Sequence, residues 1–329
     1  MNPFQYVTAS SPDEAISLIG QNGRYLGGGI DLLGEMKDYI VSPDVLVNVK
    51  GITNPGVLAT ISFFLHSDSN QPFCTIAGTT SIADLAAHES LKRYYSGIVD
   101  AASEVGSPQI RNVASLAGNL LQHSRCWYYR QPDIVCLKRG GSTCYAQDGE
   151  NKYSSLFSGC ACISPVVSNL SVILTALEAT IDVKRGPKID TLSIAELYRE
   201  AWENPAAHNS LKPEDFLLRV NVPRKRTRSA YRQVSEKREF DWALVSCAAA
   251  GNVTDGKITD ARVVLGAVAP VPYMVEEANQ FLEGKELTDD NAGQAADIIL
   301  RDAKPLEHNG YKVPLARTLI RRTLLALNP

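Results

Sequence analysis

The chain has 329 residues, of which 44% are hydrophobic and 21% charged, a composition typical of a globular protein with two or three domains. Its 33 basic and 36 acidic residues give a formal net charge of -3, which argues against binding to nucleic acid or to an anionic membrane. No signal-peptide pattern and no apolar run near the roughly 20 residues of a membrane span are present. We therefore expect a cytoplasmic chain, unless a folded partner carries it across a membrane.

The first 56 residues predict a small α/β lobe. Ser11 and Pro12 have the pattern of a capped helix start. A short strand then leads into three glycines, which turn the chain into a second helix beginning near Asp31. Residues 45–49 have the pattern of a buried strand that completes this lobe.

Residues 57–214 predict a second lobe. Strands at 58–64 and 74–77 precede a helical stretch over 81–104, and a helix, a strand and a further helix follow residue 168. Between these parts, residues 126–162 show little periodicity of either kind. A compact domain rarely keeps so long an irregular connection unless something holds it in place.

A polar, proline-rich stretch at 204–213 predicts a domain boundary, after which the pattern changes. Strands followed by helices that pack on one face are typical of an α+β domain. The predicted strands are at 216–222, 231–234, 243–252 and 258–268, and the predicted helices are near 276–283, 289–302 and 311–327.

The glycine loop at residues 26–32 is the first candidate binding site. Consecutive glycines let backbone amides point into one concavity, and the start of a helix adds positive potential, so the loop suits a pyrophosphate. It does not match the Rossmann fingerprint, whose third glycine would fall at Leu32, and it lacks the Lys-Ser/Thr of a P-loop. A simple tight turn is the alternative.

A second candidate is the polar segment at residues 107–120, in which small residues alternate with hydroxyl and amide donors. Such a surface can approach an aromatic ring system and hydrogen-bond to its polar edge. A loop in which these side chains only cap short turns is the alternative. The histidines show no ligand spacing, and we expect His123 to occupy a solvated loop position.

Five of the seven cysteines lie within residues 126–162, and such clustering without a secretory signal indicates metal rather than disulfides. The spacing favours an iron–sulfur cluster over zinc, because structural zinc sites usually show two close Cys-x2-4-Cys pairs. Arg125, Lys138 and Arg139 could balance the negative charge of such a cluster. Thiols without metal are the third alternative. The five are Cys126, Cys136, Cys144, Cys160 and Cys162.

Together these motifs resemble the FAD-binding medium subunits of the xanthine dehydrogenase and aldehyde oxidoreductase family of molybdenum hydroxylases. Residues 26–32 are similar to the Gly-Gly-Thr-Asp-Leu flavin loop of that family, and residues 109–120 to its Arg-Asn-x-Ala-Ser-x-x-Gly-Asn loop. Residues 168–179 resemble its Ser-Asp-Leu-x-x-x-Leu-x-Ala-Leu-x-Ala segment. Residues 240–246 and 264–270 resemble the domain after the flavin site, so the resemblance covers essentially the whole chain.

The resemblance implies an α+β fold with a two-lobed FAD-binding domain of the PCMH or vanillyl-alcohol-oxidase type. The first lobe would comprise residues 1–56, and the second residues 57–214 with an iron–sulfur insertion at 122–163. Residues 215–329 would form an α+β C-terminal domain with an antiparallel sheet and helices.

The resemblance also implies that the two loops hold FAD, with its pyrophosphate on Gly27, Gly28, Gly29 and Asp31. Ile30 replaces the usual threonine of the first loop and so removes a hydroxyl, while Asn169 replaces a usual aspartate. No residue is expected to act as an acid or base on an organic substrate. The predicted cofactor-binding residues are Leu26, Gly27, Gly28, Gly29, Ile30, Asp31, Leu32, Ser107, Ile110, Asn112, Ser115, Gly118, Asn119 and Asn169.

The cysteine insertion resembles that of the periplasmic-type aldehyde oxidoreductase medium subunit and of the 4-hydroxybenzoyl-CoA reductase β subunit, which carries a [4Fe-4S] cluster. Counting back seven residues from Asn169 gives Cys162 as the fourth ligand, with Cys160 as the competitor. The predicted ligands are Cys126, Cys136, Cys144 and Cys162.

The implied function is electron transfer through FAD between [2Fe-2S] clusters of a partner and an external acceptor or donor, with an additional [4Fe-4S] cluster. The implied partners are a molybdenum-cofactor large subunit and a [2Fe-2S] small subunit, with a dimer of heterotrimers as one arrangement. Two alternatives remain at this point: a self-contained flavin oxidase and a zinc-stapled, non-enzymatic interaction module.

Overall fold

A computed structural model describes residues 1–52, 61–65 and 72–328 of the chain. Within these ranges the backbone forms three sheets, one for each of the three parts predicted from the sequence. Of the strand predicted at 58–64, residues 58–60 lie outside the described ranges. No helix in the described part of the chain is long and apolar enough to cross a bilayer.

The first lobe is a three-stranded parallel sheet in the order β1-β3-β2. Ser11 caps its first helix by accepting a hydrogen bond from the amide of Glu14, as the sequence predicts. The glycine loop follows β2. It therefore leaves the sheet at the edge where the carboxyl ends of all three parallel strands lie. The elements are β1 (Gln5–Thr8), α1 (Pro12–Leu18), β2 (Gly23–Leu26), α2 (Leu32–Lys37) and β3 (Val45–Asn48).

The second lobe is built on a five-stranded antiparallel sheet in the order β4-β5-β8-β6-β7. Apolar residues of this sheet and its helices form the largest core, which includes Ile76, Ile173 and Val220. The strands are β4 (Ile61–Leu65), β5 (Pro72–Ala77), β6 (Thr180–Arg185), β7 (Lys188–Ser193) and β8 (Phe216–Pro223). The helices are α3 (Ile82–Ala87), α4 (Glu89–Tyr94), α5 (Ser96–Ser103), α6 (Pro108–Val113), α7 (Leu116–Leu120), α8 (Asn169–Ala176) and α9 (Ile194–Glu203).

Three features of this lobe differ from the prediction. The helical stretch at 81–104 is three short helices, because His88 and Tyr95 leave helical backbone geometry. The loop at 107–120 contains α6 and α7, which are capped by the hydroxyls of Ser107 and Ser115. Strand β8 was predicted to open the C-terminal domain, but it lies inside the second-lobe sheet, where it pairs with β5 and β6.

The C-terminal part is a four-stranded antiparallel sheet in the order β12-β11-β10-β9. Its own helices pack on one face as predicted, and α5 and α8 of the second lobe also pack against the sheet. Its core contains Val245, Val263, Ile299 and Ile320. The strands are β9 (Arg228–Val234), β10 (Val245–Thr254), β11 (Lys257–Gly266) and β12 (Tyr273–Met274). The helices are α10 (Glu276–Leu282), α11 (Asp289–Leu300) and α12 (Lys312–Leu325).

The cysteine insertion has almost no regular structure, as predicted, apart from one 3-10 turn at Leu137–Arg139. Its second half is fixed to the C-terminal domain, because Leu156 and Phe157 join that domain's core and their amides donate to the carbonyl of Val268. The side chain of Lys312 donates hydrogen bonds to the carbonyls of Tyr153 and Ala267. These contacts hold an otherwise irregular segment in one place.

Candidate functional site

A cavity of about 490 Å³ lies where the two lobes, the cysteine insertion and the C-terminal domain meet. Both candidate loops line this cavity, although they are far apart in the sequence. Of the fourteen residues predicted to bind the cofactor, the structure brings twelve to its wall. These are Leu26, Gly27, Gly28, Gly29, Ile30, Asp31, Leu32, Ile110, Ser115, Gly118, Asn119 and Asn169.

Two predicted residues, Ser107 and Asn112, are not among the residues that line the cavity. The hydroxyl of Ser107 accepts a hydrogen bond from the amide of Ile110 and so caps α6. Asn112 lies on an exposed face of the same helix. The sequence predicts a loop here, but the residues form the helix α6. In a helix the side-chain directions follow the helical period, so the residues of this segment cannot all face the cavity.

The glycines of the first loop allow it to lie directly against the second loop. A Cβ atom on Gly28 would be 2.2 Å from the carbonyl oxygen of Val113, and one on Gly27 would be 2.8 Å from the Ser115 hydroxyl. Gly29 has a φ of +71°, in the left-handed region that favours glycine. Glycine is therefore required here both for the contact between the loops and for the turn.

The glycine loop also presents unused hydrogen-bond donors. Among residues 1–52, 61–65 and 72–328, no backbone carbonyl accepts a hydrogen bond from the amides of residues 27–31. Residues 27–31 are half-buried or exposed and line the cavity, so these amides are free to bind a ligand. A run of such donors at a cavity wall is suited to the oxygens of a pyrophosphate.

The two departures from the family pattern have visible consequences. The side chain of Ile30 is 45% exposed and supplies no donor to the cavity. The side-chain amide of Asn169 donates a 2.6 Å hydrogen bond to Gln233 on β9, and so links α8 to the C-terminal sheet. In the second loop, Asn119 uses its amide oxygen to accept from Ser168.

The carboxylate of Asp31 is engaged by the cysteine insertion. Its Oδ1 lies 2.9 Å from Nη2 of Arg125 and 2.7 Å from Nη2 of Arg130, and its Oδ2 accepts from the amide of His123 at 2.7 Å. Burial alone would raise the pKa of Asp31, but the two guanidinium groups outweigh it and the pKa is lowered. Asp31 therefore holds the insertion, and its carboxylate is not available to a phosphate.

The buried carboxylate of Glu35 continues this network. It accepts a 2.7 Å hydrogen bond from the Tyr129 hydroxyl and lies 3.0 Å from Nδ1 of His123. The ring of His123 stacks on that of His208 at 4.0 Å, so His123 is not the solvated loop residue that the sequence predicted. Burial, followed by the proximity of His123, lowers the pKa of His208 well below its ordinary range.

Asp31, Glu35 and His123 have ligand atoms within 4.8 Å of one another, a spacing that could hold a metal ion. The guanidinium groups of Arg125 and Arg130 already balance these carboxylates. The group is therefore an ion-pair network that joins the first lobe to the insertion.

The four cysteines chosen as ligands line one small cavity of about 10 Å³, while Cys160 does not. The thiol of Cys160 instead points to the carbonyl oxygen of Cys162 at 3.8 Å. All seven cysteines of the chain are free thiols. A hydrogen bond from Cys162, aided by backbone amides, lowers the pKa of Cys144. The four are Cys126, Cys136, Cys144 and Cys162.

Comparison with known proteins identifies the family. The model described as the FAD binding domain in molybdopterin dehydrogenase matches residues 2–225, and that of the CO dehydrogenase flavoprotein C-terminal domain matches residues 229–327. The chain belongs to the FAD-binding family of the molybdopterin dehydrogenases. The family predicted from the sequence is thus confirmed, and the chain is the FAD subunit of a molybdopterin-dependent oxidoreductase.

Individual relatives agree with this family. The aldehyde oxidoreductase FAD-binding subunit PaoB of Escherichia coli is 30% identical, with 98% of each chain covered. The glyceraldehyde dehydrogenase medium chain of Sulfolobus acidocaldarius is 21% identical over 93% of this chain and 91% of that one.

Solved structures share the fold. The Cu,Mo-CO dehydrogenase has a chain that superposes with a TM-score of 0.75 at 19% identity, covering 99% of both chains. Quinoline 2-oxidoreductase from Pseudomonas putida 86 gives 0.74 at 18% identity, covering 99% of this chain and 97% of that one. The predicted α+β fold is confirmed.

Several residues that line the cavity of this FAD-binding chain were not predicted from the sequence. Phe240 and Trp242 come from the C-terminal domain, and Arg125 comes from the insertion. Phe240 has a φ of 61° and is largely exposed, and the guanidinium of Arg125 lies 4.7 Å from the centre of the Trp242 ring. In a sequence, two aromatic residues beside charged ones do not by themselves indicate a binding site. Only the fold places Phe240 and Trp242 at the cavity.

Proposed function

We propose that this chain is the electron-transfer subunit of a molybdenum hydroxylase and holds its FAD in the 490 Å³ cavity. The observation that carries the proposal is the run of unused amides at residues 27–31, set against the small residues of the second loop. When bound, FAD supplies the one- and two-electron chemistry of the subunit. The chain would bind its phosphates and orient its ring system.

The fit to a flavin rests on the shape and chemistry of this wall. The first loop would bind phosphate through its backbone, so the loss of a hydroxyl at Ile30 need not remove the site. Gly118 is exposed and Ser115 is buried in the second loop, so backbone and small side chains lie next to the cavity. Such a surface permits close approach of an aromatic ring system.

We further propose that Cys126, Cys136, Cys144 and Cys162 hold a [4Fe-4S] cluster. Their convergence on one cavity supports this ligand set. A structural zinc site usually has two close Cys-x2-4-Cys pairs, which this segment lacks, so the spacing of the cysteines along the chain favours an iron–sulfur cluster over zinc.

The partners follow from the names of the relatives, which are called FAD-binding subunits or medium chains. We propose that the chain assembles with a molybdenum-cofactor large subunit and a [2Fe-2S] small subunit, and that two heterotrimers form a dimer. Electrons would pass between the [2Fe-2S] clusters of the partner and an external acceptor or donor.

The position of β8 also bears on the domain boundary. Because β8 lies inside the second-lobe sheet, between β5 and β6, we propose that the FAD-binding part extends to residue 223 rather than 214.

The test is the visible spectrum and metal content of the chain purified anaerobically, alone and with its partners. For the chain alone, flavin bands with a broad iron–sulfur absorption and about four irons per chain are expected. A flavin spectrum without iron, with oxidase turnover by the chain alone, would indicate a self-contained oxidase. A colourless protein containing zinc would indicate an interaction module, and either result would contradict the proposal.

A further inference from the structure

Lys138 is a buried cation in the part of the insertion that carries the proposed cluster ligands. It belongs to the 3-10 turn that follows Cys136, and it lines the same small cavity as the four cysteines. Only 9% of its surface is exposed. Its Nζ donates a 2.7 Å hydrogen bond to the backbone carbonyl of Ala207. This bond fixes the side chain, but a neutral carbonyl does not balance its charge.

No acidic side chain compensates the charge of Lys138. In residues 1–52, 61–65 and 72–328, no carboxylate oxygen lies within 4.0 Å of its ammonium group. Burying a charge is unfavourable unless a counter-charge accompanies it, and fully buried lysines are therefore normally paired. The described residues thus leave one buried positive charge without an anion.

The other two cations that the sequence places near the cysteines are in different surroundings. The guanidinium of Arg125 is paired with Asp31 at 2.9 Å. Arg139 is only partly buried and does not line the cysteine cavity, so water screens its charge. Of the three, Lys138 alone is buried at the cavity and lacks an acidic partner.

The four thiolates can supply the missing anion. An iron–sulfur core bound by four thiolates has a net negative charge, which increases when it accepts an electron. The charge of Lys138 reaches at least one proposed ligand: a hydrogen bond to Cys144 and burial raise the pKa of Cys162, and the Lys138 ammonium opposes that rise. A nearby buried cation stabilises the more negative, reduced form more than the oxidised form.

We propose that Lys138 is the buried counter-cation of the [4Fe-4S] cluster and raises its reduction potential. This inference rests on the proposed function, in which the four cysteines hold that cluster. Lys138 acts through its charge and is not itself a ligand. It makes an added electron on the cluster more stable than the thiolates alone would.

The test is the midpoint potential of the cluster, measured by redox titration of the anaerobically purified full-length chain with low-temperature EPR. Lys138→Met removes the charge, and we expect it to disfavour reduction about tenfold, which lowers the potential of a one-electron couple by about 59 mV. Lys138→Arg keeps the charge and should keep the wild-type potential. Lys152→Met is the matched control, because it removes a cation of the same insertion that is 42% exposed and paired with Glu236. It should leave the potential unchanged.

If Lys138→Met has the wild-type potential, or if Lys152→Met or Lys138→Arg lowers the potential as much, the inference is overturned. If the wild-type chain contains no iron, the proposed cluster itself fails, and the inference with it. Iron analysis and thermal melting report whether each variant folds and keeps its cluster. Should Lys138→Met lose its iron, Lys138→Gln keeps a donor for the Ala207 carbonyl without the charge, and it must show the same decrease in potential.

Discussion

The hydroxyl of Tyr129 donates a 2.7 Å hydrogen bond to the buried carboxylate of Glu35. Tyr129 belongs to the cysteine insertion and Glu35 to α2, the helix that follows the glycine loop. Burial, followed by the charge of Glu35, raises the pKa of Tyr129, so the hydroxyl keeps its proton as a donor. The bond therefore joins the wall of the flavin cavity to the segment that carries the cysteines.

Replacing Tyr129 with phenylalanine should loosen this connection. We expect Tyr129→Phe to lower the free energy of unfolding by about 1–3 kcal/mol, because a buried carboxylate loses one donor. Chemical denaturation measures the loss. Tyr145→Phe is the control, because Tyr145 lines the same cysteine cavity but is 45% exposed, and it should change stability by less than about 0.5 kcal/mol. Equal effects of the two variants would contradict the assigned role of the bond.

The contact between the two loops predicts a strong effect of a single methyl group. In Gly28→Ala, the new Cβ would lie 2.2 Å from the Val113 carbonyl, so the loops must separate. We expect a loss of about 1–3 kcal/mol in stability, as for other overpacked positions, together with weaker FAD binding. Differential scanning fluorimetry and flavin titration measure the two effects.

Gly34→Ala provides the matched control for that experiment. Gly34 lies in α2, and a Cβ added there would meet nothing within 4 Å. Alanine is the better helix former, so this variant should be neutral or more stable by up to about 1 kcal/mol. If Gly34→Ala is destabilised while Gly28→Ala is unaffected, the close approach of the two loops is not the reason that position 28 requires glycine.

The choice between two cysteines can be decided by iron analysis. Cys162 lines the cysteine cavity and Cys160 does not, so Cys162→Ser should lower the iron content below about four per chain and reduce the broad visible absorption. Cys160→Ser should leave both unchanged. The reverse pattern would make Cys160 the fourth ligand.

The buried Lys312 should make the free energy of unfolding depend on pH. Its side chain is 1% exposed, and burial lowers its pKa to about 7. A lysine in the unfolded chain has a pKa of about 10.4, so between these two values the unfolded state binds a proton that the folded state lacks. The free energy of unfolding should therefore rise with pH through this window, by up to about 1.4 kcal/mol per pH unit from this group.

Urea denaturation between pH 7 and pH 10 tests this linkage, since the difference between wild type and Lys312→Met removes the contributions of other groups. We expect that difference to grow with pH in favour of the wild type. Lys257→Met, at an exposed position of β11, should show no such trend. A flat difference for Lys312→Met would show that the folded protein keeps this lysine protonated.

Much of the fold could be predicted because its signals are local. The cap of Ser11 on α1, the turn at the three glycines and the strands of the C-terminal sheet depend on residues within a few positions of one another. The same locality misled the prediction at 81–104, where His88 and Tyr95 interrupt a continuous helical pattern. Helix ends set by tertiary packing leave only a weak trace in the sequence.

The sequence by itself determined the residue types that the chemistry needs: the glycines of one loop, the small polar residues of another and a cluster of cysteines. Only the tertiary structure decided which of them converge. It placed β8 in the second-lobe sheet, turned Asn112 away from the cavity and joined Asp31 to Arg125. The physical reason is that ion pairs and cavity walls form between segments far apart in the chain, and their geometry is fixed by packing rather than by local backbone preference.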